Sequence, residues 1–118
     1  MTFRIEFSDE AVHDLGLIFD HLLESYLGFG ESLDAALDHA ESRVHGIRAQ
    51  AERLGTVPHR GSAHDDLLPG LRHLTLNRAV YWFEIQEESR RIRVLAVFFG
   101  GQDHIRHMLV RLLGDLPS

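Results

Sequence analysis

The sequence predicts an α+β domain, and three observations set the order of its elements. Residues 3–7 alternate between apolar and charged side chains, as in a short strand with one buried face. Residues 33–54 carry apolar side chains at three- and four-residue steps, the pattern of an amphipathic helix. Residues 71–99 hold three runs rich in β-branched and aromatic residues, which predict an antiparallel meander. The predicted order is β-α-α-β-β-β-α, an antiparallel sheet with a helical hairpin on one face and a C-terminal helix.

The helices of the predicted hairpin begin and end at recognisable residues. Ser8 can cap the first helix, whose apolar residues follow at helical spacing until Gly28. The apolar stripe of the second helix continues to Leu54, and Gly55 and Pro58 then stop it. Two amphipathic helices joined by a short glycine-containing turn form an antiparallel hairpin.

The second half of the chain is predicted to be a loop, three strands and a last helix. Residues 55–70 show no periodicity and should be loop. The strands are expected at residues 71–76, 79–86 and 91–99, and apolar residues return at helical spacing after Gly100. There is no repeat or linker, so residues 1–118 are expected to form a single domain.

Both faces of the predicted sheet are apolar. Strand alternation sends Trp82 to the face opposite Tyr81 and Phe83. The same alternation on the next strand sorts six residues into two sets, Leu95, Val97 and Phe99 on one face and Val94, Ala96 and Phe98 on the other. Such a sheet needs two covers, of which the helical hairpin supplies one, and the C-terminal helix or a partner supplies the other.

The charge of the chain is unevenly distributed. All 12 basic residues are Arg, against 18 acids, and the formal net charge is −6. Residues 1–54 carry four Arg and eleven acids, whereas residues 55–118 carry eight Arg and seven acids. An anionic target would therefore contact the second half. Direct binding of nucleic acid is disfavoured outside a complex with a partner, because duplex affinity depends on several phosphate contacts.

Composition also limits the chemistry and the location of the protein. The chain has no Cys, which excludes disulfides, a thiol nucleophile and a Cys-based zinc site. Its apolar runs are far shorter than the roughly 20 residues that span a bilayer, and its N-terminus lacks the layout of a signal peptide. We therefore expect a soluble cytoplasmic protein without a membrane partner.

Four segments, taken together and in order, resemble the ParE/RelE superfamily of type II toxins, and its ParE branch in particular. They are FRIEFSDEA at residues 3–11 with Asp14 and Leu15 after it, LPGLRHL at 68–74, NRAVYWF at 77–83 and RVLAVF at 93–98. The resemblance covers about residues 3–100, and the last helix looks like a subgroup feature. It implies a toxin that arrests growth, serves plasmid stabilisation, and inhibits a bacterial target, which is DNA gyrase for ParE-like members. It also implies a cognate antitoxin, encoded in the same operon, that neutralises the toxin.

The resemblance also suggests which residues make contacts. The candidates for the target are the arginines of the meander, Arg72, Arg78 and Arg93. The candidates for the antitoxin are apolar residues of the strands, Leu71, Trp82, Leu95, Val97 and Phe99. An apolar groove for an amphipathic segment of the antitoxin is one interpretation of these residues, and packing against the last helix is the other.

A RelE-like, ribosome-dependent mRNA endoribonuclease is the alternative function. Such an enzyme needs a cation at the phosphate and a group that transfers protons. The chain has no Lys and no Tyr after Tyr81, and the candidates that remain for catalysis are Arg72, His73, Arg78 and His104. The sequence favours a toxin that is not an enzyme, and leaves open both the nuclease and a non-toxic structural member of a paired complex.

The start of the last helix offers a candidate metal site. His104 and His107 lie one helical turn apart, beside Asp103, and could present ligands. That spacing is common, and no second cluster accompanies it, so we expect no metal and no cofactor. The simpler interpretation is a polar, solvent-facing stripe of His104, His107 and Arg111.

Overall fold

The computed structural model describes residues 3–100 and 103–114. The strands are β1 (Arg4–Phe7), β2 (Ser62–Ala63), β3 (Leu71–Leu76), β4 (Ala79–Gln86) and β5 (Arg91–Phe99). The α-helices are α1 (Asp9–Gly28), α2 (Leu33–Gln50) and α3 (His104–Gly114), with short 3-10 turns at Ala51–Gly55 and Pro58–Arg60. The α+β class and the order of the predicted elements are confirmed. In the parts of the chain described, no helix combines the length and the apolar character needed to cross a membrane.

Side-chain caps start both helices of the hairpin. The Ser8 hydroxyl accepts a hydrogen bond from the Ala11 amide at 3.1 Å, and the Ser32 hydroxyl accepts one from the Ala35 amide at 3.2 Å. Each bond satisfies an amide that has no partner within its own helix. Asp9 and Glu10 follow the first cap, where negative charge suits the helix dipole.

The second helix ends earlier than the sequence indicates. The prediction that it extends to Leu54 is wrong, because α2 stops at Gln50 and continues as a 3-10 turn. The Tyr81 hydroxyl donates a hydrogen bond to the carbonyl of Ile47, and the Ala51 amide bonds to the carbonyls of Arg48 and Ala49 instead. A side chain that donates a hydrogen bond to a carbonyl in the last turn competes with the α-helical hydrogen bond there and favours the tighter 3-10 winding.

The sheet has five strands, in the order β1-β5-β4-β3-β2. All neighbouring pairs are antiparallel except β1 and β5, which are parallel. The helical hairpin and strands β2, β3 and β4 lie between these two strands in the chain. The prediction that residues 55–70 are entirely loop is wrong at β2, which pairs with the start of β3. A two-residue strand is too short to show a period in the sequence.

Each face of the sheet packs against helix. The hairpin face is the side covered by α1 and α2, where Tyr81 and Phe83 enter the main core. The α3 face is the opposite side, where Trp82 packs with Met108 of α3. The predicted division of these three aromatic residues between the two faces is confirmed.

A β-bulge at Leu95 changes the faces assigned to the rest of β5. Trp82 pairs with Ala96 and Phe83 pairs with Val94, so that Leu95 is an extra residue. Val94, Val97 and Phe99 therefore pack on the hairpin face, whereas Leu95, Ala96 and Phe98 pack on the α3 face. The strict alternation expected for this strand is wrong beyond the bulge, because one inserted residue shifts every later side chain to the other face.

Candidate functional site

The centre of the α3 face is closed by the last helix. Met108 of α3 is 1% exposed and packs against Leu71 and Trp82, neither of which has exposed surface. Two of the apolar residues expected to contact a partner are thus covered by the chain itself. The C-terminal helix is one of the two covers anticipated for the second face.

A groove remains open beside α3 on the same face. It has a volume of about 780 Å³ and an apolar lining, made of Leu67, Leu68, Leu95, Met108, Leu109, Leu112 and Leu113. Its charged residues are Glu10, Asp66, Glu84, Arg93 and Arg111. Leu95 is half-buried, and Leu113 at the end of α3 is 64% exposed. An apolar floor with charged groups around it suits an amphipathic peptide segment.

A buried ion pair fastens α3 to α1 at this groove. The Arg111 guanidinium donates to both carboxylate oxygens of Asp14, at 2.7 and 2.9 Å, and to the carbonyl of Leu95 at 3.1 Å. The amide of Val97 donates to the same carboxylate at 3.0 Å. The predicted solvent-facing stripe of His104, His107 and Arg111 is therefore wrong at Arg111. No local spacing could reveal a pair whose members are 97 positions apart.

A cluster of three histidines surrounds the Trp82 ring at the other end of α3. His64 Nε2 lies 2.7 Å from His73 Nδ1, and the ring centroids of His73 and His104 are 4.7 Å apart. The rings of His64 and His73 lie 4.7 and 4.9 Å from that of Trp82. The structure thus brings together the two candidate histidines and adds His64, which the sequence analysis missed because it lies in the predicted loop.

Two histidines of the cluster, His73 and His104, have pKa values lowered by burial, which favours the neutral form of each ring. Burial, together with the nearby His104 and His64, lowers the pKa of His73 to about 4. Burial also lowers the pKa of His104, against the opposite effect of Asp103. Neutral imidazoles can accept a proton but cannot balance the charge of a phosphate. Across residues 3–100 and 103–114, no group of three or more His, Asp or Glu is arranged to hold a metal ion.

The candidate arginines do not converge on one place. Arg72 lies opposite Phe83 on β4, and its guanidinium donates to the carbonyls of Gly61 and His59, at 2.8 and 3.3 Å. It therefore holds the segment around β2 against β3. His73, the next residue, points to the α3 face, so the phosphate-binding and proton-transfer groups named for a nuclease lie on opposite sides of β3.

The other two arginines are exposed at separate positions. Arg93 lies opposite Glu84 and lines the groove on the α3 face. Arg78 lies between β3 and β4, with its guanidinium 5.5 Å from the ring centroid of Phe99. Both are accessible to a partner, and Arg93 lies on the face of the sheet opposite that of Arg72.

Among the apolar candidates, the α3 face holds Leu71, Trp82 and Leu95. Val97 and Phe99 pack on the hairpin face because of the bulge, and Val97 is 1% exposed in the main core. Leu95 is the candidate that both lies on the α3 face and lines the open groove. The groove also includes residues of α3 that the sequence analysis did not name.

Comparison with known proteins identifies the fold. No family model matches the chain, and no curated protein has a significantly similar sequence. A solved structure described as "Chromosomal ParDE TA system from P. aeruginosa" is 24% identical and covers 85% of this chain and 98% of that one, with a TM-score of 0.61. The chain has the ParE/RelE fold. The toxin–antitoxin complex RelBE2 from Mycobacterium tuberculosis is 16% identical, with coverage of 84% and 99% and a TM-score of 0.52.

The ParE/RelE fold confirms the fold that the resemblance in the sequence implies. The structural similarity extends over nearly the whole length of both solved chains. A fold alone does not define an activity, so the function depends on the surfaces that this chain presents.

Proposed function

We propose that this chain is the toxin of a type II toxin–antitoxin pair, of the ParE-like kind. It acts in the bacterial cytoplasm on a large protein target, DNA gyrase by family resemblance, arrests growth, and is neutralised by a cognate antitoxin encoded in the same operon. The observation that carries the proposal is the open apolar groove beside α3 in a chain of ParE/RelE fold.

The groove is the proposed antitoxin site. Its half-buried Leu95 and exposed Leu113 would be covered by the apolar side of an amphipathic helix, with anchors at three- and four-residue steps. Glu10, Asp66 and Glu84 stand around the same groove. Arg93 and Arg111 also line it, but Arg111 is paired with Asp14, so the acids outnumber the remaining arginine. An antitoxin segment with basic residues beside its apolar anchors would match this charge.

The target contact is assigned to exposed arginines. Arg78 and Arg93 are exposed on the surface. Arg72 already donates to two backbone carbonyls, and its replacement would disturb the structure before it affected a partner. We therefore assign the contact with the target to Arg78 and Arg93 in the first place, and the structural role to Arg72.

An endoribonuclease remains the second candidate, because His73 and His104 lie side by side. Both can exchange protons, as the cleavage of RNA requires. Arg72, however, is directed to the opposite face of the sheet, away from them. The charge of the phosphodiester would then need another cation.

One experiment distinguishes these functions. The chain is induced in bacteria alone and then together with its neighbouring gene, and growth, plasmid supercoiling and transcript integrity are measured in the same cultures. We expect growth arrest with loss of gyrase supercoiling, intact transcripts, and rescue by the neighbouring gene. Cleaved transcripts would instead support the nuclease, and normal growth would contradict a toxin.

A pair of variants tests the groove. Leu113→Asp places a charge in the proposed antitoxin site, and we expect it to weaken antitoxin binding about tenfold or more while growth arrest persists. Leu33→Asp is the matched control, since Leu33 at the start of α2 is 58% exposed and does not line the groove. Equal antitoxin affinity for the two variants, measured by titration calorimetry, would remove the groove from the proposal.

A further inference from the structure

A second cleft lies on the hairpin face, between α2 and the turn that joins β3 to β4. Its volume is about 820 Å³, within the range of small-molecule sites. Arg43, Ile47 and Gln50 reach it from one side of α2, at four- and three-residue steps. Arg78 enters from the turn, and Phe99 at the end of β5 provides apolar surface.

The cleft is positively charged although the chain is acidic. The guanidinium carbons of Arg43 and Arg78 both lie 5.5 Å from the ring centroid of Phe99. The lining contains no Asp or Glu. Within the described ranges, the four salt bridges involve other residues, so neither guanidinium has a carboxylate within 4.0 Å. The net charge of the chain is −6, so the guanidinium groups of Arg43 and Arg78 beside one aromatic ring create a local positive potential that attracts anions.

The polar groups of the cleft are held in position. The Asn77 side-chain amide donates to Gln50 Oε1 at 2.9 Å, which joins the turn to α2. The Gly100 amide donates to the carbonyl of Arg78 at 3.0 Å, which fixes the backbone next to it. Gln50 Nε2 is buried and has no hydrogen-bond acceptor. An acceptor oxygen supplied by a ligand would satisfy this donor.

We propose that this cleft binds the phosphate group of a nucleotide. Arg43 and Arg78 would donate to the phosphate oxygens from two sides, and Gln50 Nε2 would supply a further donor. The planar guanidinium groups match the geometry of phosphate oxygens. Two guanidinium groups and one amide also offer more donors than a single carboxylate can accept, which favours phosphate as the ligand group. The half-buried ring of Phe99 offers an apolar contact for the rest of the ligand.

This inference goes beyond the proposed function, because the cleft lies on the hairpin face, whereas the antitoxin groove lies on the α3 face. The phosphate can belong to a free nucleotide or to a single-stranded oligonucleotide, since both present the same group. Arg78 lines the cleft and also belongs to the proposed target contact, whereas Arg43 belongs to the cleft alone. Replacement of Arg43 therefore distinguishes phosphate binding from target binding.

Titration calorimetry on the purified full chain tests the site. The probes are AMP, adenosine, inorganic phosphate, and a tetranucleotide with and without a 5′-phosphate. We expect AMP to bind at least about tenfold more tightly than adenosine. Arg43→Gln and Arg78→Gln should each weaken AMP binding by about tenfold or more, because each removes a charged donor.

Arg48→Gln is the matched control. Arg48 lies on the same helix, with its guanidinium 4.9 Å from the Phe7 ring, and it does not line the cleft. Its replacement removes the same charge and should change AMP affinity by less than about twofold. Tighter binding of AMP than of the phosphorylated tetranucleotide assigns the site to free nucleotides, and the reverse order assigns it to single strands.

Two outcomes overturn the inference. One is that the wild-type chain binds none of the phosphate probes, and the other is that Arg48→Gln weakens AMP binding as much as Arg43→Gln does. Circular dichroism spectra of all variants show whether each is folded. Because the assay needs no antitoxin, no target and no cells, its failure would leave the toxin proposal unaffected, and the absence of toxicity would leave phosphate binding unaffected.

Discussion

Replacement of Arg111 by Met should lower the free energy of unfolding by about 3 kcal/mol. The guanidinium makes two hydrogen bonds to Asp14, whose carboxylate is nearly fully buried. Without Arg111, the charge would remain buried with the Val97 amide as its hydrogen-bond donor. Removal of one partner of a buried pair costs about 3 to 5 kcal/mol, and we expect the lower end because the Arg111 side chain is 25% exposed.

A compensating variant tests whether buried charge is the cause. In Asp14→Asn/Arg111→Met, the amide oxygen can still accept from the Val97 amide, and no charge is left buried. The free energy of unfolding of this double variant should then lie only about 1 kcal/mol below that of the wild type. Arg91→Met is the matched control, because Arg91 pairs with Glu6 at a site where both side chains are at least 40% exposed, and it should cost less than about 1 kcal/mol.

Urea unfolding monitored by tryptophan fluorescence is the assay. Trp82 is the sole Trp of the chain and is buried beneath α3, so its emission reports on this part of the structure. The reasoning is refuted if Arg111→Met costs as little as Arg91→Met. It is also refuted if the double variant is less stable than Arg111→Met alone, since neutralising the carboxylate would then have relieved nothing.

Two further predictions concern stability. The pKa of His73 is lowered from 6.5 to about 4, so the unfolded chain takes up a proton that the folded chain excludes, and stability should fall as the pH drops from about 6.5 towards 4. Solvent screens this partly exposed ring, so we expect a loss on the order of 1 kcal/mol, and His73→Gln should flatten the pH dependence of the urea midpoint. Gly61→Ala should cost about 2 kcal/mol, because a Cβ there would lie 2.7 Å from the His73 carbonyl oxygen. Gly16→Ala in the open middle of α1 should instead stabilise by about 0.5 to 1 kcal/mol, and equal midpoints for the two alanine variants would contradict the prediction.

The meander could be predicted closely because its signals are local. Three runs of β-branched and aromatic residues are separated by turn residues, and the observed bounds of β3, β4 and β5 coincide with those runs. Asn77, at the first turn, has a φ of 55°, a conformation that Asn adopts more readily than most residues. The bulge at Leu95 could not be predicted, because an inserted residue leaves the composition of an apolar strand unchanged.

The candidate site was less predictable because its contacts join distant segments. His73 and His104 could be named from their chemistry, but their proximity depends on how α3 packs across Trp82. In the sequence, Asp14 cannot be distinguished from the other acids of α1. Its burial depends on contacts with Arg111 and the Val97 amide, which are distant in the chain. Tertiary contacts of this kind leave no periodic trace in the sequence.

The arrangement of β3 bears on the choice between the two proposed functions. Arg72 and His73 are consecutive in an extended strand, so their side chains must leave opposite faces of the sheet. A change of rotamer cannot bring the Arg72 guanidinium to the histidine cluster, and two backbone carbonyls already occupy it. Cleavage at His73 and His104 would need a cation from outside this set to stabilise the charge of the transition state. A toxin that acts by binding needs no such convergence, and it can use exposed arginines at separate positions across a broad interface.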